Sequence, residues 1–212
     1  MARAGITADR LVAAAADLAD EVGFEHVTVS ALARRFGVKD ASLYSHVRSA
    51  QELRARVGLL AAGEMIDRIA AAVAGRAGKD ALVAFADAYR AYALEHPGRY
   101  RATHVQQDPA VVAGSPVPRR TAEVTYGMLR GYGLAEPDLT DAVRLLRSTF
   151  HGYCHLESIG GFGAPREVAA SWANSLDALH VLLENWPRTA PASPASPASP
   201  ASPASPKETP DD

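Results

Sequence analysis

The sequence predicts an all-α protein, and three observations carry that expectation. Apolar residues recur at i, i+3, i+4 and i+7 in one segment after another, the spacing of a one-sided helix. No stretch of useful length alternates apolar and polar residues with period two, as a half-buried strand would. Residues that cap or stop helices (Thr, Ser, Gly, Pro) stand at the ends of those segments.

Residues 1 to 6 read as a frayed start, with Arg3 an exposed tail charge. Thr7 can cap a helix whose Leu11, Ala15, Leu18 and Val22 form one apolar stripe; Gly23 ends it, and Phe24 fills a small core. Thr28 caps the next helix, carried by Val29, Leu32, Ala33 and Phe36, and Gly37 can take the left-handed conformation that closes it. The segment Lys39 to Val47 reads as a further short helix, with Leu43 and Val47 turned back onto the previous one. Ser49 and Glu52 form a Ser-x-x-Glu capping box. That box opens a long helix through Leu53, Val57, Leu60, Met65, Ile66 and Ile69 to about Val73. Gly75 and Gly78 mark its end.

Asp80 to Glu95 is a helix with Leu82, Phe85, Ala86, Tyr89 and Ala93 on one side, stopped by His96-Pro97-Gly98. Tyr100 to about Val105 is a short helical piece. Asp108 to Pro118, with Pro109, Gly114, Pro116 and Pro118, reads as a loop. Pro118 to Tyr132 is helical with Val124, Met128 and Leu129 inward, and Gly133 ends it. Pro137 or Asp138 opens a helix through Leu139, Val143, Leu146, Phe150 and Cys154 to about Ile159. Gly160-Gly161-Phe162-Gly163 is a turn, and Pro165 suits the first turn of a last helix. Val168, Trp172, Leu176, Leu179, Leu183 and Trp186 give that helix a broad stripe, and Pro187 stops it. From Pro191 to Pro206 the chain repeats Ala-Ser-Pro, which excludes helix and sheet and reads as an extended, disordered tail. The expected organisation is residues 1–48, residues 49–188 and a tail, 189–212.

The chain has 212 residues, with 22 Lys plus Arg against 24 Asp plus Glu, a formal net charge of −2. That balance excludes a non-specific nucleic-acid coat, which depends on many phosphate-neutralising cations. A specific reader needs only a local cluster, and Arg34, Arg35, Lys39 and Arg48 supply one. The first helix, with Asp17, Asp20 and Glu21, would face away from DNA. The single cysteine, Cys154, excludes an intrachain disulfide and fits a reducing cytoplasm. The N-terminus lacks an apolar signal core, and no apolar run could span a bilayer, so a cytoplasmic protein with no membrane partner is expected.

The segment Lys39 to Val47 presents Lys39, Ala41, Ser42, Tyr44, Ser45 and His46 outward. Small residues there can approach base edges in a major groove, while hydroxyl, Lys and Tyr groups hold phosphates. At this point the chain resembles a known family. Thr28-Val29-Ser30-Ala31-Leu32-Ala33, Phe36-Gly37-Val38, Ser42-Leu43-Tyr44-Ser45-His46-Val47, Ser49 and Glu52-Leu53 are similar, in order and spacing, to the DNA-binding domain of tetracycline-repressor (TetR) regulators. Ala50 stands where that family often has a phosphate-holding Lys, and Arg48 could substitute. The resemblance implies a helix-turn-helix domain followed by a helical ligand-binding and dimerisation domain, joined by the long helix as a lever. It implies three partners: a palindromic double-stranded DNA operator, a small-molecule effector, and a second copy of the chain. On the DNA, Lys39, Ala41, Ser42 and Ser45 would reach base edges, while Thr28, Tyr44, His46 and Arg48 would hold phosphates.

Ala93-Leu94-Glu95-His96-Pro97-Gly98-Arg99-Tyr100, and Phe150-His151-Gly152 with Gly161-Phe162, resemble one subtype of the family, named for a Trp and a His-Gly pair. Phe150 stands where that subtype often has Trp. The implied pocket would draw on Phe85, Tyr89, Tyr92, Tyr100, His104, Met128, Phe150, His151, Cys154 and His155, with Tyr89, Tyr92 and His151 preferred because a buried phenol or imidazole needs a partner. The last two long helices carry stripes too wide for one subunit to bury, so they are expected to meet the same two of a second copy in a four-helix bundle, with Trp172, Leu176, Leu179, Leu183 and Trp186 at the contact; the alternative is that the stripes pack only against the subunit's own helices. His151 and His155 have metal-ligand spacing, but no Cys pair or HExxH motif accompanies them, so no metal and no cofactor are expected. No Ser-His-Asp pattern or phosphate-binding glycine loop points to an enzyme. A helical small-molecule-binding protein or enzyme with a vestigial N-terminal domain is the alternative.

Overall fold

The structure, a computed structural model, describes residues 5–105 and 108–188. Arg3 and the Ala-Ser-Pro repeat lie outside the described residues. Among those residues the chain is helical, with no strand. The helices are α1 (Ala8–Val22), α2 (Val29–Phe36), α3 (Asp40–Leu43), α4 (Ala50–Val73), α5 (Gly78–Glu95), α6 (Pro97–Ala102), α7 (Pro109–Val112), α8 (Val117–Leu129), α9 (Asp138–Ser158) and α10 (Val168–Glu184).

The caps act as the sequence predicts. Thr7 accepts the Arg10 N–H at 3.2 Å, Thr28 the Ala31 N–H at 3.1 Å and Ser49 the Glu52 N–H at 3.0 Å. Gly37 ends α2 at φ +68°, a left-handed conformation that a Cβ would strain. Glu52 departs from the capping-box pattern. Its carboxylate reaches past Ser49 to the Arg48 N–H at 2.7 Å, and it also takes Nε of Arg48 at 3.0 Å and the Arg56 guanidinium at 2.7 Å. It is buried, and these donors hold its carboxyl down to about 2.

Four elements differ from expectation: α3 is shorter than Lys39 to Val47, α6 opens at Pro97, inside the expected stop, rather than at Tyr100, and two more depart as follows. Within the expected loop 108–118, Asp108 caps and Pro109 opens one helical turn, α7, the residue pair that favours a helix start. The last helix begins at Val168 rather than at Pro165, which stays in the preceding bend with no helical turn built on it.

Two apolar cores result. The first gathers Leu11, Ala15, Phe24, Leu32, Leu43 and Val47, and takes in Leu53 and Val57 of α4 and Ala102 of α6. The second gathers Ile66 and Ile69 of α4 with Leu82, Tyr89, Leu129, Leu146, Phe150, Trp172 and Leu176. Helix α4, 24 residues long, therefore serves one core with its first half and the other with its second. At 1.5 Å per residue it is about 36 Å long.

Candidate functional site

The outer face of the α2–α3 unit is built by local chemistry. Leu43 and Val47 are buried, which turns Lys39, Ala41, Ser42, Tyr44, Ser45 and Arg48 outward; Thr28 is exposed beside them and His46 is half-buried. Tyr44 is 51% exposed, a large aromatic ring left in water. Of the expected segment Lys39 to Val47, only Asp40–Leu43 is regular helix. The chain then tightens, with the His46 and Val47 N–H groups both on the Leu43 carbonyl, at 2.9 and 3.2 Å. The Ser45 hydroxyl donates to the Ser42 carbonyl at 2.7 Å, a local bond that competes with helix propagation. The Ser30 hydroxyl donates to Asp40, tying α2 to the start of α3.

The cation cluster is smaller than the sequence suggests. Arg35 pairs with Glu21 of α1 at 2.7 Å, so its charge faces α1. Arg48 is held by Glu52, yet its side chain is 76% exposed and its guanidinium reaches water. The side chains of Arg34 and Lys39 are exposed, with no hydrogen-bond or ion-pair partner among the described residues.

Behind this unit lie two cavities that share His104 as a wall. One, of about 350 Å³, is bounded by α4, α5, α8 and α9. Phe85, Tyr89, His104, Met128 and Phe150 line it as expected, joined by Met65, Ile69, Thr121, Thr125 and Arg147. The second, of about 360 Å³, is lined by Tyr100, His104, His151, Cys154 and His155, with Arg101 and Ser158. Between them runs a buried polar chain: Tyr89 Oη to Tyr100 Oη at 2.9 Å, and Tyr100 Oη to His151 Nδ1 at 2.9 Å. The two segments that resemble the His-Gly subtype thus meet here. Burial pushes the Tyr89 phenol up to about 12 and the Cys154 thiol up to about 12. Burial, reinforced by neighbouring positive charge, holds His104 and His151 below the usual imidazole range. His104 stacks on His151 at 4.1 Å, and His151 on His155 at 6.1 Å. Stacked rings do not aim their nitrogens at one point, and no group of three metal-capable side chains occurs among the described residues.

Two expectations need correction. Tyr92 lines neither cavity; its hydroxyl donates to Glu64 at 2.9 Å, because α5 turns that residue toward α4. Trp172, Leu176 and Leu183, expected between two copies, are buried in the subunit's own core. Trp172 packs at a tilt against Phe150 at 5.7 Å and edge-on against Tyr153 at 4.9 Å, and its Nε1–H donates to Asp87 at 2.7 Å. Leu179 and Trp186 are half-buried against the same core. The stripe is therefore the inward face of α10.

Residues 11–57 match the family of bacterial regulatory proteins named for tetR, and residues 82–179 match a tetracyclin repressor-like C-terminal domain. An HTH-type transcriptional regulator of Mycobacterium tuberculosis is 35% identical over 161 residues, 74% of this chain and 72% of that protein. The chain belongs to the TetR family. Its relatives are named as transcriptional regulators, not enzymes. Among solved structures, BioQ with its natural double-stranded DNA operator superposes with a TM-score of 0.60 at 20% identity, covering 85% of this chain and 99% of that one. A TetR variant of Acinetobacter baumannii in complex with minocycline gives 0.65 at 21% identity, covering 87% and 100%. These two likenesses bear on the fold.

In this TetR-family chain one feature links the two cores and was not visible in the sequence. The start of α6 is pressed onto the end of α1. A Cβ on Gly98 would fall 1.9 Å from the Ala19 carbonyl oxygen and 2.6 Å from the Asp20 nitrogen. Next to it, the Arg99 N–H donates to Asp20 at 2.8 Å, and its guanidinium pairs with Asp20, with Asp17 at 2.6 Å, and with Glu64 of α4 at 3.4 Å. His96 Nδ1 is 3.1 Å from Asp20 as well. The acidic side of α1, expected simply to face away from DNA, is where the second domain docks.

Proposed function

We propose that this regulator is a ligand-responsive repressor: a homodimer that binds a palindromic operator and releases it when a small molecule fills the cavity. Residues 1–48 read DNA, and residues 49–188 hold the effector and the second copy. Lys39, Ala41, Ser42 and Ser45 reach base edges; Thr28, Tyr44, His46 and Arg48 hold phosphates and fix register. The protein works in the cytoplasm, without metal or cofactor. The operator complex of BioQ and the minocycline complex of the Acinetobacter protein support the two halves of this proposal at the level of the family.

The observation that carries the proposal is the double attachment of α6. Arg99 and Gly98 grip α1, while Tyr100 and, just beyond the helix, His104 wall the cavities. A ligand that prefers one position of Tyr100 and His104 thereby prefers one position of α1 and of the α2–α3 unit it packs on. Without such a preference it would shift nothing. In a dimer that movement changes the separation of two recognition segments, which must fit successive major grooves. The outward residues Leu145, Leu156 and Ile159 share one face along α9, and Val181 and Leu182 stand out from α10. These supply the apolar surface for a four-helix contact between copies.

The test is binding to a fragment from the protein's own upstream region. Replacing both Lys39 and Tyr44 by Ala should weaken binding strongly and flatten the log K against log salt slope by about one, for the cation removed. Binding like that of the parent would refute the assignment of this face.

A further inference from the structure

The larger question left by the sensor proposal, on which this inference rests, is what kind of molecule the cavity accepts. Its two ends differ. The inner end is apolar, with Met65, Ile69, Phe85 and Met128. The outer end carries Arg147 and His104. Neither this cavity nor its neighbour has an Asp or Glu among its lining residues. The exposed Arg147 side chain forms no hydrogen bond or ion pair with any described residue, whereas Arg144, three residues earlier on α9, stands 3.6 Å from Asp141. His104 donates its Nδ1–H to the Tyr100 carbonyl at 2.9 Å, beside the Thr103 hydroxyl, so Nε2 of the neutral ring is an acceptor and Arg147 is left as the donor for an acid.

We infer that the effector is an organic monocarboxylate, an apolar body ending in one acid group that pairs with the guanidinium of Arg147. At about 30 Å³ of liquid volume per water-sized group, a cavity of about 350 Å³ holds roughly a dozen non-hydrogen atoms. A guanidinium matches a carboxylate with two parallel donors. A cationic ligand meets Arg147 with no acid to offset it. A neutral ligand gains no charge pairing from that guanidinium, which is exposed and otherwise solvated. Because burial disfavours the charged imidazole, His104 and His151 stay neutral in the empty cavity, and Arg147 is the fixed charge of its lining.

The probes are matched triads: phenylbutyrate, phenylbutanol and phenylbutylamine, and octanoate, octanol and octylamine. Binding to the full chain is read from tryptophan fluorescence, since Trp172 packs at a tilt against the cavity residue Phe150 at 5.7 Å, and from the shift in melting temperature. The acids should bind at least about tenfold more tightly than the alcohols, as expected for a charge-assisted bond, and the amines not at all. Arg147→Met should abolish the preference for acid over alcohol while the alcohols still bind, which shows that the cavity is intact. Amines or alcohols binding as tightly as the acids, or an unchanged preference in Arg147→Met, overturns the inference. The operator fragment separates the two levels. Acids that bind without releasing DNA leave this inference standing and refute the sensor proposal. Release by neutral or cationic compounds alone does the reverse. If no probe of any charge binds, the inference is refuted.

Discussion

Replacing Gly98 by Ala tests the joint between the domains, because two ordinary arguments give opposite signs. Gly98 lies inside α6, so helix propensity alone favours Ala by about 1 kcal/mol. The packing says otherwise. The new methyl would lie 1.9 Å from the Ala19 oxygen and 2.1 Å from its carbonyl carbon. Ordinary contact begins at about 3.5 Å, so α6 must withdraw from α1 by roughly 1.5 Å. Both partners are backbone, and neither can rotate aside. The cost then sits at the upper end of overpacking penalties, about 3 kcal/mol, for a net loss of about 2 kcal/mol. For a chain of this size that lowers the melting temperature by about 4–8 °C, measurable by calorimetry. Below the transition the folded variant should bind the operator fragment with changed affinity and a blunted response to effector. Its salt slope should match the parent, since no phosphate contact is lost. A melting temperature equal to or above the parent's would refute the close approach. A lowered one with unaltered DNA binding and release would refute α6 as the coupling element.

Further outcomes follow from the same geometry. Glu52 is held to about 2 by the Arg48 N–H and by the guanidiniums of Arg48 and Arg56, against an ordinary 4.5. Its folded value lies below its unfolded one, so its contribution is complete above about pH 4.5 and is lost as pH falls toward 2. Glu52→Gln should cost about 1–3 kcal/mol in urea unfolding at neutral pH, and the gap to the parent should close under acid; a gap constant with pH contradicts this. Leu176→Ala should cost about 2–5 kcal/mol as a core truncation and leave the oligomeric state alone. Val181→Arg, at a 57% exposed position, should leave the subunit's fold intact and yield monomers by sedimentation; the opposite pattern would put the inward stripe of α10 between the copies. Cys154, buried with its thiol pushed up to about 12, should react with a disulfide reagent only on unfolding; rapid reaction of the native protein would show the second cavity to be open to solvent.

The helix-turn-helix unit was legible because its determinants are local. Thr7, Thr28 and Ser49 each cap the helix that follows within three residues, and Gly37 closes α2 by its own conformation. Most of the cavity lining was legible too, since Phe85 and Tyr89 share a helix face, as do Phe150 and Cys154. What the sequence hid is which way a stripe faces once several stripes compete. Trp172, Leu176 and Leu183 looked like an exposed seam, but α5 and α9 were there to cover them, and the outward side is the weaker pair Val181 and Leu182. Tyr92 follows Tyr89 by three residues and shares its side of α5 in the sequence pattern, yet an offset of about 60° sends it to Glu64. Arg147 is one Arg among many in the sequence; only its place in a cavity lining that holds no Asp or Glu gives it meaning.

The joint at α6 was illegible for a stronger reason. Gly98 reads as a helix stop, and Arg99 as a surface charge, until α1 is brought against them from about eighty positions away in the chain. Yet the sequence order of these residues explains why the joint can transmit. Consecutive residues on a helix point about 100° apart, so Arg99 and Tyr100 face different neighbours while sharing one backbone. Arg99 is bound to α1 and α4, and Tyr100 to Tyr89 and His151 at the cavity wall. Helix α6 has only six residues, too few for one end to yield while the other stays. A displacement imposed at Tyr100 must therefore move Gly98 and Arg99 as well, and α1 can absorb it only by moving or by breaking the Asp20 pair. That makes α6, together with α4, the element whose position should differ between the DNA-bound and the released states.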